Sequence, residues 1–389
     1  MNIFKRIGWL VICFLALSVV ALQAQTVPYT ATILNRVDKI AGPASMSALV
    51  APDGTKYAYI NPRDFCIFSL EEEELGCVNI EVVRGLDVKS VRWSPDSRYL
   101  AFTEDFLRRF VDSDIWLVDT EELSLVNLTN DFVDRLEISD AAWGGNQDFS
   151  PIWLADGRLA FFRLNRTDGE FTNTIYTMNV EGVEQEPLSF RASFSGVSNY
   201  VLAAASDAMV LAYNTDTNMS DGISAANILN FDDETDTFVL PLADKSESPY
   251  ELQLSYDGSY LLMVGRRSKI VNNVLNSREV MSFVRTDQVS TETNLLNGEH
   301  TVVGAAFAPD SNAIAYITRD EENPETQGLY IASAPGEEGQ LVLEGMFISP
   351  VNASYLFYWA EGGIILLSDF EVNELVTVKV EKAGAVSGA

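Results

Sequence analysis

An all-β fold, a β-propeller of about seven four-stranded blades, is what this sequence predicts, and three observations carry the expectation. A strand, turn, strand pattern, clearest at 91–102 as VRWSPDSRYLAF, recurs through the 389 residues. Each copy is followed by two more short apolar runs, so one unit holds four strand-length segments. The turns are anchored at 53, 96, 156, 207, 257, 310 and about 351, at intervals of 43, 60, 51, 50, 53 and 41 residues, which favours seven units over six or eight. A four-stranded unit has two faces to bury and cannot cover both alone; in a ring each unit covers its neighbours.

The turn repeats for reasons of backbone chemistry. Pro95 fixes φ at an early turn position, Asp96 accepts hydrogen bonds from the amides that follow, and glycine at the next position of other copies (Gly54, Gly157, Gly258) permits φ > 0. One such turn marks only a surface bend. A set of them, flanked each time by apolar alternation of the same phase, marks a repeat.

These segments resemble the WD40-like repeats of the TolB-type propeller family. The likeness lies in 148–161, DFSPIWLADGRLAF, and in Arg92 to Phe102 followed by Asp114-Ile115-Trp116-Leu117-Val118-Asp119 and Asn127-Leu128-Thr129. The family pattern runs roughly P-x-W-S-P-D-G-x-x-I-A-F, then I-Y/W-x-x-D, then L-T. Leu154-Ala155 replaces Ser-Pro in the third copy, and the fourth and seventh copies are degenerate. The resemblance implies a propeller over nearly all of the chain and no catalytic residues, because the repeat motif is architectural.

In chain order, Lys5 and Arg6 precede an uncharged apolar run from Ile7 to Ala21, and Leu22-Gln23-Ala24 offers a cleavage site, so 1–24 reads as an export signal. The run is short for a membrane span, and no other apolar run approaches spanning length. An extracytoplasmic location, periplasmic or secreted, follows. Residues 25–43 form a lead-in whose Tyr29 to Val37 alternates like a strand and is expected to pair with the last blade. A single propeller domain then occupies 44–382, and 383–389 is a small-residue tail. Blade one runs from about Ser45 to Val82, blade two from Val88 to Thr129 and blade three from about Ala141 to Phe190. Blade four turns at Asp207-Ala208, blade five at Tyr256-Asp257-Gly258 and blade six at Pro309-Asp310. Blade seven is expected to turn at Ser349-Pro350, with later strands at Ile364 to Leu367 and Leu375 to Val380. Trp93, Phe102, Trp153, Phe161, Phe307 and Tyr316 fall on the two inner strands of their blades, where a neighbouring sheet can bury them.

Cys66 and Cys77 lie on the two outer strands of blade one, either side of Glu71 to Glu74. Counting back from a hairpin loop at Leu70 to Glu73 places them opposite each other, and export to an oxidising compartment predicts a disulfide.

Removal of the signal leaves 24 basic against 56 acidic residues, a net charge of −32. So acidic a chain argues against nucleic acid as a partner. The one histidine, His300, lies between blades five and six. There is no G-x-S-x-G elbow, no HExxH, no paired CxxC and no Gly-rich phosphate loop. The segment from Asn214 to Asn218 begins like a calcium loop, but Met219 stands where glycine belongs and Ala225 where a glutamate belongs. The expectation is a chain that is not an enzyme, with no cofactor and no metal, binding a protein, peptide or envelope component. The alternative is a hydrolase acting on carbohydrate or another polymer through carboxylates in the channel.

The binding expectation has a location. In a propeller with strands lettered A to D from the centre outward, the A–B and C–D turns share one face and the B–C and D–A connections the other. The A–B turns here are tight and the B–C connections long, and loops on a rigid scaffold carry recognition. Arg63, Arg108, Arg109, Arg163, Arg166, Arg266, Arg267, Lys269, Arg278 and Arg319 fall in or beside them. Arg108, Arg109, Arg163, Arg166, Arg266, Arg267, Lys269 and Arg319 are the candidate binding residues, suited to an anionic partner. Pairing with nearby acids such as Glu104, Asp105, Asp168, Asp320 and Glu321 is the competing use of the same charges.

Overall fold

The computed structural model describes residues 29–38, 47–61, 63–83, 85–104, 113–130, 147–167, 170–182, 187–188, 194–195, 201–216, 224–241, 248–271, 274–288, 294–296, 301–320, 322–352 and 354–383. The export signal and the tail lie outside these residues. Seven antiparallel sheets form the seven blades of a β-propeller. Strands A to D are Ser47–Val50, Lys56–Ile60, Asp64–Ser69 and Glu74–Asn79 in blade one, and Arg92–Trp93, Tyr99–Thr103, Ile115–Asp119 and Ser124–Asn127 in blade two. Blade three uses Gln147–Trp153, Leu159–Thr167, Glu170–Met178 and Phe194–Ser195; blade four uses Leu202–Ala204, Val210–Asp216, Ser224–Asn230 and Thr235–Pro241. Blade five uses Ser248–Leu254, Tyr260–Val271, Val274–Arg285 and Asn294–Leu295; blade six uses Thr301–Phe307, Ile314–Arg319, Gly328–Ala332 and Gln340–Glu344.

The apolar core sits in the seams between blades. Trp93 and Phe102 of blade two pack against Leu49, Ile60 and Phe65 of blade one, and Trp153 and Phe161 of blade three against Ala101, Ile115 and Leu117 of blade two. Phe307 and Tyr316 fill the seam with Leu262, Val264 and Phe283 of blade five. Burial of each such side chain contributes about 1.5–3 kcal/mol. The two tryptophans share a further device. Trp93 Nε1 donates to the Leu49 carbonyl at 3.1 Å and Trp153 Nε1 to the Arg92 carbonyl at 3.1 Å, so each pins its strand A to the strand A before it.

The repeated turn has the chemistry its residues imply. In blade two the Ser94 hydroxyl donates to Asp96 and accepts from Tyr99 N, while Asp96 accepts from Arg98 N; Ser255, Asp257, Ser259 and Tyr260 repeat the arrangement in blade five. The turns also link across blades. Asp53 N donates to Ser97 Oγ at 2.9 Å, Asp207 N to the Tyr256 carbonyl at 3.0 Å, and Asn312 Nδ2 to Asp257 Oδ2 at 3.1 Å. Gly54 has φ 67°, and a Cβ there would collide with the Glu361 carbonyl, so this seam closes only around glycine.

Blade seven departs from the expectation. Its A–B turn is Glu361-Gly362-Gly363, with φ 67° and 81° at the glycines, and not Ser349-Pro350. Strand A is split into Phe347–Ile348 and Trp359–Ala360, both paired with strand B, Ile364–Asp369. Strand C is Glu374–Lys382, and strand D is the lead-in, Tyr29–Asp38, antiparallel to it. Ser-Pro opens the turn of blade two, where Asp96 follows it, but here Val351 follows. The two glycines do the turning, 51 residues after Asp310, and each later segment moves one strand inward.

Cys66 and Cys77 stand directly opposite on strands C and D of blade one and are bonded to each other. The Cys66→Ser/Cys77→Ser double variant is expected to keep its β circular dichroism and lose about 3 kcal/mol in denaturant unfolding, because the bond shortens the unfolded chain's free loop. Unchanged stability would assign the bond no energetic role.

Candidate functional site

Interruption of strand A in blade seven creates the feature at the centre of the ring. Residues 349–352 and 354–358 leave the sheet as a strap that reaches the innermost strands of other blades. The strap is held on three sides. Ala48 N of blade one donates to the Pro350 carbonyl at 3.1 Å, and Asn352 N donates to Ser47 Oγ at 2.8 Å. Ala305 N of blade six donates to the Tyr355 carbonyl at 3.0 Å, and Phe357 N returns a bond to the Ala305 carbonyl at 3.1 Å, a short parallel pairing at strand A.

The third side is Glu251, on strand A of blade five and buried. Its Oε2 accepts from Ser354 Oγ at 2.8 Å, Tyr355 N at 3.0 Å and Leu356 N at 3.2 Å; its Oε1 accepts from Lys89 Nζ of blade two at 3.1 Å. Contacts from blade five to blades two and seven cross the middle of the ring. A carboxylate holding four donors is committed to structure. Sequence reasoning missed this cluster; the signal available was an acid inside the otherwise apolar strand PYELQL.

The face of the A–B turns is acidic. The A–B turn of each blade carries one carboxylate: Asp53, Asp96, Asp156, Asp207, Asp257, Asp310 and Glu361. Burial together with the charges of Asp207, Asp310 and Glu361, from three other blades, pushes the Tyr256 phenol up. Burial also opposes ionisation of Asp257, but hydrogen bonds from Ser259, Asn312 and Ser255 outweigh it and hold the carboxyl below its ordinary 3.8.

The opposite face carries the B–C connections, and two of them are not the loops expected. Blade three continues its ladder to Thr167 opposite Glu170, and blade five to Val271 opposite Val274, so both are β-hairpins. Their sequences, RLNRTDGEFTN and GRRSKIVNNVLNSR, show no sustained apolar alternation, which is why they read as loops.

The candidate cations fare differently. Arg108 and Arg109 lie outside the described residues. Arg163 is not a rim residue: it is buried, opposite Asp148 on strand A, with Nε to Oδ1 at 2.7 Å and Nη2 to Oδ2 at 2.6 Å. The rings of Phe161 and Tyr176 flank its guanidinium, at 5.5 Å and 4.9 Å. For this arginine, pairing with an acid wins over display. Arg319 is half-buried over the Phe370 ring at 5.7 Å. Arg166 lies on the blade-three hairpin, and Arg266, Arg267, Lys269 and Arg278 lie on that of blade five. The calcium-like segment lies largely outside the described residues. Among the described residues no three His, Cys, Asp or Glu side chains are grouped to hold a metal ion.

No protein-family model matches the chain, and no curated protein matches it either. Solved structures do. An oligogalacturonate lyase in complex with manganese aligns over 90% of this chain and 96% of its own, with a TM-score of 0.56 and 13% identity. The β-propeller domain of the Trilobed protease from Pyrococcus furiosus aligns over 85% and 95%, with a TM-score of 0.48 and 16% identity. An acylaminoacyl peptidase aligns over 87% of this chain, which spans about half of that enzyme (49%), with a TM-score of 0.47 and 13% identity. Together with the seven sheets, the first likeness defines the class: a seven-bladed β-propeller. It also corrects the expectation that the chain is not an enzyme. A lyase is built on this fold across nine-tenths of the chain, so the missing hydrolase and metalloprotease motifs are no ground for that exclusion. At such identity the likeness carries the fold and not the reaction.

Glu251→Ala is expected to cost about 2–3 kcal/mol, because it strands two backbone N–H groups and a hydroxyl, and to open 349–358 to limited proteolysis; Glu251→Gln, which keeps an acceptor, should cost about 1 kcal/mol. Equal stability of all three proteins would show that the strap does not depend on this residue. Because the folded-state acidity of Asp257 lies below the unfolded value, its stabilisation is complete above that value and disappears as pH falls through the folded one. Asp257→Asn should therefore show a smaller loss of denaturant midpoint between about pH 6 and 2.5 than the parent.

Proposed function

We propose that the chain is an extracytoplasmic propeller that recognises a protein or peptide partner on its B–C and D–A face. The observation that supports this most is the pair of hairpins. Strand B has five residues in blade one and twelve in blade five. The blade-five ribbon thus carries Arg267 to Val271 roughly 17 Å past the last residue paired to strand A. A ring needs no such extensions to close, and connections carried on a propeller scaffold are where recognition resides. The TolB-like repeats and the segment from Lys5 to Ala24 support the export part of the reading.

Charge supports the choice of face. The face of the A–B and C–D turns carries a carboxylate in every A–B turn, which disfavours an anionic surface there. The opposite rim holds Arg166, Arg266, Arg267, Lys269, Arg278 and Arg319 in a chain of net charge −30. Reaction through channel carboxylates is the weaker reading, because Glu251, the acid that reaches across the channel, already holds four donors.

A variant with 165–172 and 267–278 each shortened to an Asn-Gly turn is expected to fold and to lose the partner recovered from the native envelope fraction by the parent protein. Asp310→Ala on the other face should retain it. Loss with Asp310→Ala and retention by the shortened protein would place recognition on the A–B turn face.

A further inference from the structure

Arg92 stands at a position where the repeat asks for no charge. Counted four residues back from the acid of each A–B turn, blades one to seven carry Leu49, Arg92, Ile152, Ala203, Gln253, Ala306 and Phe357. Leu49, Ala203, Ala306 and Phe357 are buried in the apolar seams, and Ile152 packs beside one. Closing the ring therefore does not require a cation in blade two.

The guanidinium also lacks the partner that arginine takes elsewhere in this chain, where acids outnumber bases 56 to 26. Arg36, Arg63, Arg98, Arg158, Arg163 and Arg285 each meet a carboxylate at 2.6 to 3.9 Å. Among the described residues Arg92 meets none. Its Nη1 donates to the Lys89 carbonyl at 2.5 Å and to the Val91 carbonyl at 2.9 Å, which ties the group to its own backbone and leaves Nε and Nη2 unused. The two acids that reach this turn are engaged with Lys89: Asp87 accepts from Lys89 N, and Glu251 of blade five from Lys89 Nζ. Arg92 is half-buried on the innermost strand of its blade, paired along one edge only, so its open side is toward the middle of the ring. A half-buried cation with no counter-charge has lost water without being repaid.

We infer that Arg92 anchors a binding site for a small oxyanion, a carboxylate or phosphate group, at the middle of the ring. Nε and Nη2 present parallel N–H groups along one edge of the guanidinium, the geometry that takes two oxygens of one ligand group. The bonds from Nη1 to two carbonyls hold that edge in place before the ligand arrives, so little freedom is lost on binding. Recognition at the rim is a separate matter, because neither the hairpins nor their cations take part here.

The test titrates the full mature protein, isotope-labelled for nuclear magnetic resonance, with sodium acetate or sodium phosphate at constant ionic strength, sodium chloride being the balancing salt. The indole N–H of Trp153, bonded to the Arg92 carbonyl, is the reporter, and that of Trp116, bonded to Glu104 on strand C, is the reference. Trp153→Phe and Trp116→Phe identify the two signals. A saturable shift of the Trp153 signal with a still Trp116 signal is expected, and whichever anion binds more tightly names the group. Arg92→Met should abolish the shift, and Arg92→Lys, which keeps the charge and loses the fork, should weaken binding about tenfold or more. Circular dichroism and the denaturant midpoint check that each variant is folded, and the parent protein alone already decides the case if its Trp153 signal moves with neither anion, or moves only together with Trp116: either result overturns the site. A shift that persists in Arg92→Met would move the anion elsewhere, and equal affinity in Arg92→Lys would leave a loosely held counter-ion and overturn the two-point site.

Discussion

Closure of the ring is the constraint on which the rest of the structure depends. A propeller left open would expose the outer edge of its last blade and half the apolar face of its first, and neither could be stable alone. This chain closes by pairing its lead-in strand, Tyr29–Asp38, with Glu374–Lys382, so residues from opposite ends of the sequence complete one sheet. Closure also has to hold together a surface with a large excess of negative charge. The apolar seams supply the attraction, and single hydrogen bonds from indoles and turn amides fix how neighbouring strands A meet.

With the outermost place in blade seven filled from the other end of the chain, its own later residues move inward. The stretch that would have made a regular strand A has residues to spare, and the surplus becomes the strap. Blade seven is thus at once the fastener of the ring and the source of the strap. Glu251, itself paired with Lys89, is what the strap rests on: a buried carboxylate needs donors, and the strap's backbone supplies two of them.

The two faces of the molecule follow from the same repeat. In blades one, two, three and five the turn that reverses the inner hairpin uses an aspartate to hold its amides, so one face acquires carboxylates as a by-product of folding. The other face is under no such requirement, and its connections vary from a tight bend in blade one to a twelve-residue ribbon arm in blade five. Variation, length and positive charge collect where the fold does not dictate the residues, which is where a propeller can acquire a partner.

By itself the sequence determined the class of fold, the number of blades, the turn chemistry and the seam aromatics. Each of these is written in local spacing: Trp93, Pro95 and Asp96 act within a few residues of one another, and the pattern repeats often enough to be unambiguous. The opposition of Cys66 to Cys77 was legible for the same reason, because one hairpin sets it. Only the tertiary structure decided that Ser349-Pro350 begins a strap and not a turn, that Arg163 is enclosed with Asp148, and that Glu251 meets Lys89 some 160 residues away in sequence. Local pattern records what a residue does for its own strand. Which charge faces which is set by closing the ring and by the register of a ladder, and neither leaves a mark in the spacing of residues along the chain.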